Sequence, residues 1–189
     1  MWYPYLEDHI IFNYRNEDKS ICSKVVNLKG ETNKKFDFTI NSLHPFEPLG
    51  VTSNFERLRI FFPAYGYASH KKISDLIDIK NDGIWLLDFQ KNSKKLLISI
   101  DEISDFLKIE KQIRNKVFLG HCLFSPLGNK FVFLYRYFNS DSSACLTYMI
   151  NYELHTKKIQ LLASGKISHF DWIDNDDLLV WMRNSNFAK

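Results

Sequence analysis

Apolar residues along this chain fall into short runs bounded by polar turns, which is the pattern of strands and not of long helices. Three runs share one form: Asp8-His9-Ile10-Ile11-Phe12-Asn13-Tyr14-Arg15, Asn129-Lys130-Phe131-Val132-Phe133-Leu134-Tyr135-Arg136 and Asp176-Asp177-Leu178-Leu179-Val180-Trp181-Met182-Arg183. Each opens on a turn residue, continues through strand formers and closes on Arg. Gly50-Val51-Thr52-Ser53-Asn54-Phe55-Glu56-Arg57 is a weaker fourth copy. Nearly continuous apolar runs of this length suit strands covered on both faces.

Two further repeats fill the intervals. Asn33-Lys34-Lys35-Phe36-Asp37-Phe38, Ser93-Lys94-Lys95-Leu96-Leu97-Ile98 and Thr156-Lys157-Lys158-Ile159-Gln160-Leu161 each follow a β-rich run. They predict a hairpin with a polar turn, a solvated lysine pair and a last strand, with Lys suited to an exposed edge. Residues 120–128 parallel residues 168–176, each predicting a strand and a tight turn. Pro126-Leu127-Gly128 and Pro48-Leu49-Gly50 share the same turn chemistry.

The repeating unit is therefore a four-stranded meander. Its Arg positions are spaced by 42, 79 and 47 residues, and two of these match the roughly 40–50 residues of a propeller blade. The long interval holds two inserts, 58–82 and 101–119. The second predicts a helix over 101–116, with Ile103, Phe106, Leu107 and Ile113 on one face and a Ser99–Glu102 capping box. The fold expected is an all-β propeller of four-stranded meander blades, incomplete at about three and a half blades, with one inserted helix. Its blades span about 1–40, 41–100, 101–163 and 164–189. A β-sandwich also needs many short strands, but it does not predict the same sub-motifs in the same order. Stacked blades should bury Leu86, Leu97, Val132, Phe133 and Leu179.

The Ser-Pro-x-Gly turn at 125–128 followed by an apolar strand resembles the repeat of bacterial WD40-like propellers of the TolB type, with Leu127 where Asp is usual. Asn54-Phe55-Glu56-Arg57-Leu58, Tyr65-Gly66-Tyr67, Asp82-Gly83-Ile84-Trp85 and Ser168-His169-Phe170-Asp171-Trp172 are similar to a family of largely uncharacterised bacterial propellers. That family is related in architecture to the oligogalacturonate lyases, and some members occur beside polysaccharide-biosynthesis genes. The resemblance implies a fold more than an activity. It also implies seven or eight blades, so an unclosed array here would expose bare faces and edges and risk self-association.

Composition adds exclusions. The 189 residues carry 25 Lys+Arg against 22 Asp+Glu, a net charge of +3, too small to imply nucleic acid or an anionic membrane as partner. No apolar run approaches the roughly 20 residues of a membrane span, and no basic leader with an apolar stretch opens the chain. Cys22, Cys122 and Cys145 are odd in number and far apart, which argues against a disulfide framework and fits a reducing cytoplasm. Phosphate-loop, dinucleotide, His-Glu-x-x-His and Gly-x-Ser-x-Gly motifs are absent, as is the Gln-x-x-His-x-His metal cluster of the lyases. Asp174, Asp176 and Asp177 read as a polar hairpin turn in preference to a calcium site. No cofactor or metal is expected.

The candidate chemistry comes from strand direction. In a meander, the start of the first strand and the end of the second lie at one end of the blade. His121 with Arg136, and His169 with Arg183, occupy those matched positions. The inserts emerge at the same end, and the lysine pairs at the other. The expected ligand site is therefore His121, His169, Arg136 and Arg183, with Arg57 and Tyr67 from the neighbouring unit. Arg forks suit carboxylates, and Tyr suits sugar rings. The function expected is binding of an anionic or polyhydroxylated saccharide-like ligand, accessory to polysaccharide synthesis. A protein-interaction scaffold is the alternative, as is a fragment of a metal-assisted lyase or hydrolase.

Overall fold

The computed structural model of the protein describes residues 1–67, 78–138 and 145–187. Residues 68–77, within the first expected insert, lie outside that description. Three antiparallel sheets form, each from strands adjacent in sequence. The first is β1 (His9–Arg15), β2 (Ile21–Asn27) and β3 (Thr32–Phe36). The chain start lies along β1: Ile11 N–H donates to Met1 O at 2.9 Å and Tyr3 N–H to His9 O at 2.9 Å. The second is β4 (Ser42–Leu43), β5 (Leu49–Thr52), β6 (Gly83–Asp88) and β7 (Ser93–Ser99). The third runs β8 (Phe118–Phe124), β9 (Lys130–Phe138), β10 (Cys145–Glu153), β11 (Ile159–Trp172) and β12 (Leu178–Phe187).

β11 serves two hairpins. It pairs with β10 up to Gly165 and with β12 from Ala163 onward, so that residues 163 and 164 pair on both sides. Register shifts after Ser164 and Ile167, beside Gly165 at φ 138°, mark the change. Such irregularities bend a strand. Beyond the bend, Ile167, Phe170, Trp172, Leu178, Val180 and Met182 pack on Val132, Leu134 and Met149 of β9 and β10. The β11–β12 hairpin thus covers one face of the sheet it belongs to. Its tip is tied to β8 and β9: Trp172 Nε1–H donates to Leu123 O at 3.3 Å, and Lys130 pairs with Asp176 at 2.8 Å.

The apolar runs follow from this stacking. Phe131, Phe133 and Tyr135 point into a core shared with Val51, Ile84 and Ile98 of the second sheet, while Val132 and Leu134 point to the hairpin. A third core joins Ile11, Val25 and Phe36 of the first sheet to Leu87 and Phe89. The order is first sheet, second sheet, third sheet, hairpin, an open stack and not a closed ring. Val132 and Phe133 are fully buried as expected, and Leu86 and Leu97 are half-buried. Leu179 departs from expectation at 67% exposed. It points outward from the hairpin, where no described element covers it.

Other expectations need correction. The second Arg run is not a strand to its end. β5 stops at Thr52, and Asn54 Oδ1 accepts from Glu56 N–H (3.0 Å) and Arg57 N–H (3.1 Å), starting α1 (Phe55–Phe61). A good N-cap outweighs the strand pattern here. The helix over 101–116 is two pieces, α2 (Ile100–Phe106) and α3 (Lys111–Arg114), separated by Lys108 at φ 56°. Its Ser99–Glu102 capping box is present. Gly128 sits in the expected turn, at φ 74°, with a Cβ there only 2.3 Å from His44 Nε2. Gly50 instead lies in β5, pressed against the Phe89 ring. The lysine pairs are exposed as expected except for half-buried Lys34, whose Nζ–H donates to Phe89 O; exposed Lys94 lies over Trp85. α1 follows β5, α2 follows β7 and α3 precedes β8, so the helices share one end of the stack. Among the described residues no helix is long and apolar enough to cross a membrane.

Candidate ligand-binding cleft

At the helix-bearing end, a cleft of about 520 Å³ opens between the first and second sheets. One wall is the β1–β2 turn and the segment after β3, with Asp18, Asp37 and Thr39. The other is the β5–α1 junction, Thr52 to Glu56, and the approach to β6, Asp78 to Asp82, with Trp85. The second wall is held from behind. Arg57, 1% exposed, donates from Nε to Asp82 Oδ2 at 2.6 Å and from Nη1 to Asn115 O and Val117 O, both at 3.1 Å. Asn54 Nδ2 donates to the same Asp82 oxygen at 3.1 Å. One buried guanidinium therefore fixes α1, the β6 approach and the start of β8 together.

The lining is polar and ordered by short-range bonds. Asn41 Oδ1 accepts from Ser53 N–H at 2.7 Å, and the Thr39 and Thr52 hydroxyls meet at 3.1 Å. Asp18 accepts from the Ser20 hydroxyl (2.6 Å) and backbone N–H (2.9 Å), which hold its carboxyl below the usual range. The Asn81 side chain and N–H do the same for Asp78. Five carboxylates (Asp18, Asp37, Glu56, Asp78, Asp82) face two ammonium groups, Lys19 and Lys94. Lys94 Nζ stands 4.8 Å from the Trp85 ring centre, a cation–π contact that covers one face of the indole.

The six residues expected to form a site divide into groups. His121 and Arg136 do meet. His121 sits at φ 53° in an irregular stretch of β8, with Arg136 Nη1 3.3 Å from its Nδ1. Guanidinium only donates, so Nδ1 accepts and the imidazole proton is on Nε2. Burial, then the Arg136 charge, then His169 pull the His121 pKa down to about 4. Arg136 is 7% exposed and its Nη2 donates to Ile167 O at 3.0 Å, while its buried Nε has no partner. This pair ties β8 and β9 to the bend of β11. The Tyr65 ring lies 5.8 Å from His121. His169 is exposed on the hairpin, bonded to the Ser168 hydroxyl at 2.6 Å. Arg183 lies on the outward face of β12, opposite Lys166. Arg57 stands behind the cleft wall, and Tyr67 packs on the lining residue Phe55 at 5.1 Å.

Sequence reasoning missed Asp82, Asn54 and Trp85 as lining residues. Asn54 was read as part of a strand run, and its bond to Asp82 spans 28 residues. Among the described residues no three of His, Cys, Asp and Glu gather as metal ligands.

The class defined by these observations is an all-β protein of stacked antiparallel meanders. No protein-family model matches the chain, and no curated protein does. Among solved structures it is similar to an oligogalacturonate lyase in complex with manganese, with a TM-score of 0.42 and 12% identity over 80% of this chain and 33% of that one. The chain thus spans about a third of the length of that structure.

Proposed function

We propose that the stack is three and a half blades of a β-propeller and that the cleft between its first two blades binds a polyhydroxylated, saccharide-like ligand. The carrying observation is the lining itself: carboxylates, hydroxyls and amides around Trp85 in a volume of about 520 Å³. That size lies within the usual range of small-molecule pockets. Fixed carboxylates and amides accept and donate to paired hydroxyls, and an indole face takes the C–H face of a sugar ring. The excess of carboxylates disfavours an anionic ligand here, so of the two ligand classes the neutral one is favoured. Arg57 acts by holding Asp82, and Tyr67 by packing Phe55. The His121–Arg136 pair serves the junction between the third sheet and the hairpin.

Calorimetric titration with neutral disaccharides built on glucose, galactose and mannose tests this. At least one should bind with a Kd of about 1 mM or tighter. Trp85→Ala and Asp37→Ala should each weaken it by about tenfold, the loss of one stacking or hydrogen-bonding contact. Absence of binding by the parent chain would favour the interaction-scaffold reading.

A further inference from the structure

The outward face of the β11–β12 hairpin carries large exposed apolar side chains. Trp181 is 76% exposed and Leu179 67% exposed, two residues apart on one strand. β12 is an edge strand, paired only with β11. Large apolar side chains on an unpaired edge are a template for another strand. Arg183 projects from the same face, and its cross-strand neighbour in β11 is Lys166, also exposed. Like charges placed directly opposite destabilise a strand pair. Among the described residues no carboxylate bonds to either.

We propose that two copies of this chain join through β12, antiparallel about a two-fold axis at Val180, into one continuous sheet. This register follows from the sequence of the strand. Centred on Val180, it sets Leu179 beside Trp181 of the partner subunit and Trp181 beside the partner subunit's Leu179. It sets Leu178 beside the partner's Met182 on the core side. It also sets Asp177 beside the partner's Arg183, twice by symmetry. Residues 177, 179, 181 and 183 share one parity and hence one face, so the charged pairs flank a four-residue apolar strip. Asp177 is exposed and supplies the carboxylate that the Lys166–Arg183 pair lacks. Asp176, its neighbour, is already paired with Lys130, so Asp177 is the acid available to the partner. A two-fold contact needs a self-complementary surface, and this strand has one. The inference is independent of the cleft.

Sedimentation velocity on the whole chain, from about 5 to about 200 μM, reads the association directly. The mass should rise from 22.4 kDa to twice that value. Arg183→Glu and Asp177→Arg should each move the monomer–dimer midpoint about tenfold higher, because each turns two attractions into two repulsions. The double variant D177R/R183E should return it to within about threefold of the parent. Trp181→Ser, at an exposed position, should dissolve the dimer while leaving the melting temperature of the monomer unchanged. A parent chain that stays monomeric across the range overturns the proposal. So does a dimer that ignores the single charge reversals, or one that the double variant fails to restore, because its interface would not be β12 in this register.

Discussion

His121 shows how one residue is set by its surroundings. Its pKa of about 4 in the fold lies below the roughly 6.5 of an unfolded histidine. Between those values the unfolded chain takes up a proton that the fold refuses, so stability rises with pH across that window. Its contribution is complete above about pH 6.5 and is lost as pH falls toward 4. His44, lowered by burial, acts in the same direction. His121→Asn should therefore shrink the drop in urea midpoint between pH 7 and about pH 4.5 without abolishing it. Asn is suited because it tolerates the left-handed backbone of that position. A drop as large as that of the parent would show that His121 does not titrate as described. Arg57 makes the second residue-scale case. Its removal leaves Asp82 charged and nearly buried, so Arg57→Ala should cost about 3–5 kcal/mol in urea denaturation. A loss under about 1 kcal/mol would mean that the ion pair is solvent-screened.

At the scale of elements, the capping box at Ser99 stops β7 and starts α2. Both halves of it are made: Ser99 Oγ accepts from Glu102 N–H at 3.1 Å, and Glu102 accepts from Ser99 N–H at 2.8 Å. Ser99→Ala should cost about 1 kcal/mol, read from thermal melting, and an unchanged midpoint would contradict the cap. This element was legible because its chemistry is local, four residues in sequence. α1 was equally local, with Asn54 as its cap, but the Arg-terminated strand pattern masked it. The split of the second helix was not legible: Lys108 adopts φ 56°, which nothing in its side chain announces. The lysine pairs were read as solvated turn residues; two of them lie within the edge strands β3 and β7, where Lys34 reaches Phe89 O of the neighbouring sheet and Lys94 covers Trp85 of the adjacent strand.

At the scale of the molecule, the alternation of β9 into two cores holds the stack together. Phe133, fully buried between the second and third sheets, should cost about 3–5 kcal/mol when replaced by Ala, and a denaturant midpoint equal to the parent's would undo the stacking order. The meander units were legible because they repeat. Their open stacking and the exposure of Leu179 were not, because burial depends on what lies beyond a strand as well as on the strand. The candidate site was legible only in part. His121 and Arg136 come together as their matched positions suggest, but they act as a tie. The cleft wall arises where Asn54 and Arg57 of the β5–α1 junction meet Asp82, with Trp85 three residues further along the same segment. Chemical-shift mapping shows whether a ligand binds in this cleft. On addition of a neutral disaccharide that binds, backbone amides of Thr52 to Glu56 and Asn81 to Trp85 should shift, with those around His121 and Arg136 unmoved. Shifts centred on His121, His169 and Arg136 with a silent cleft would put the ligand at the β8–β11 junction and not in the cleft.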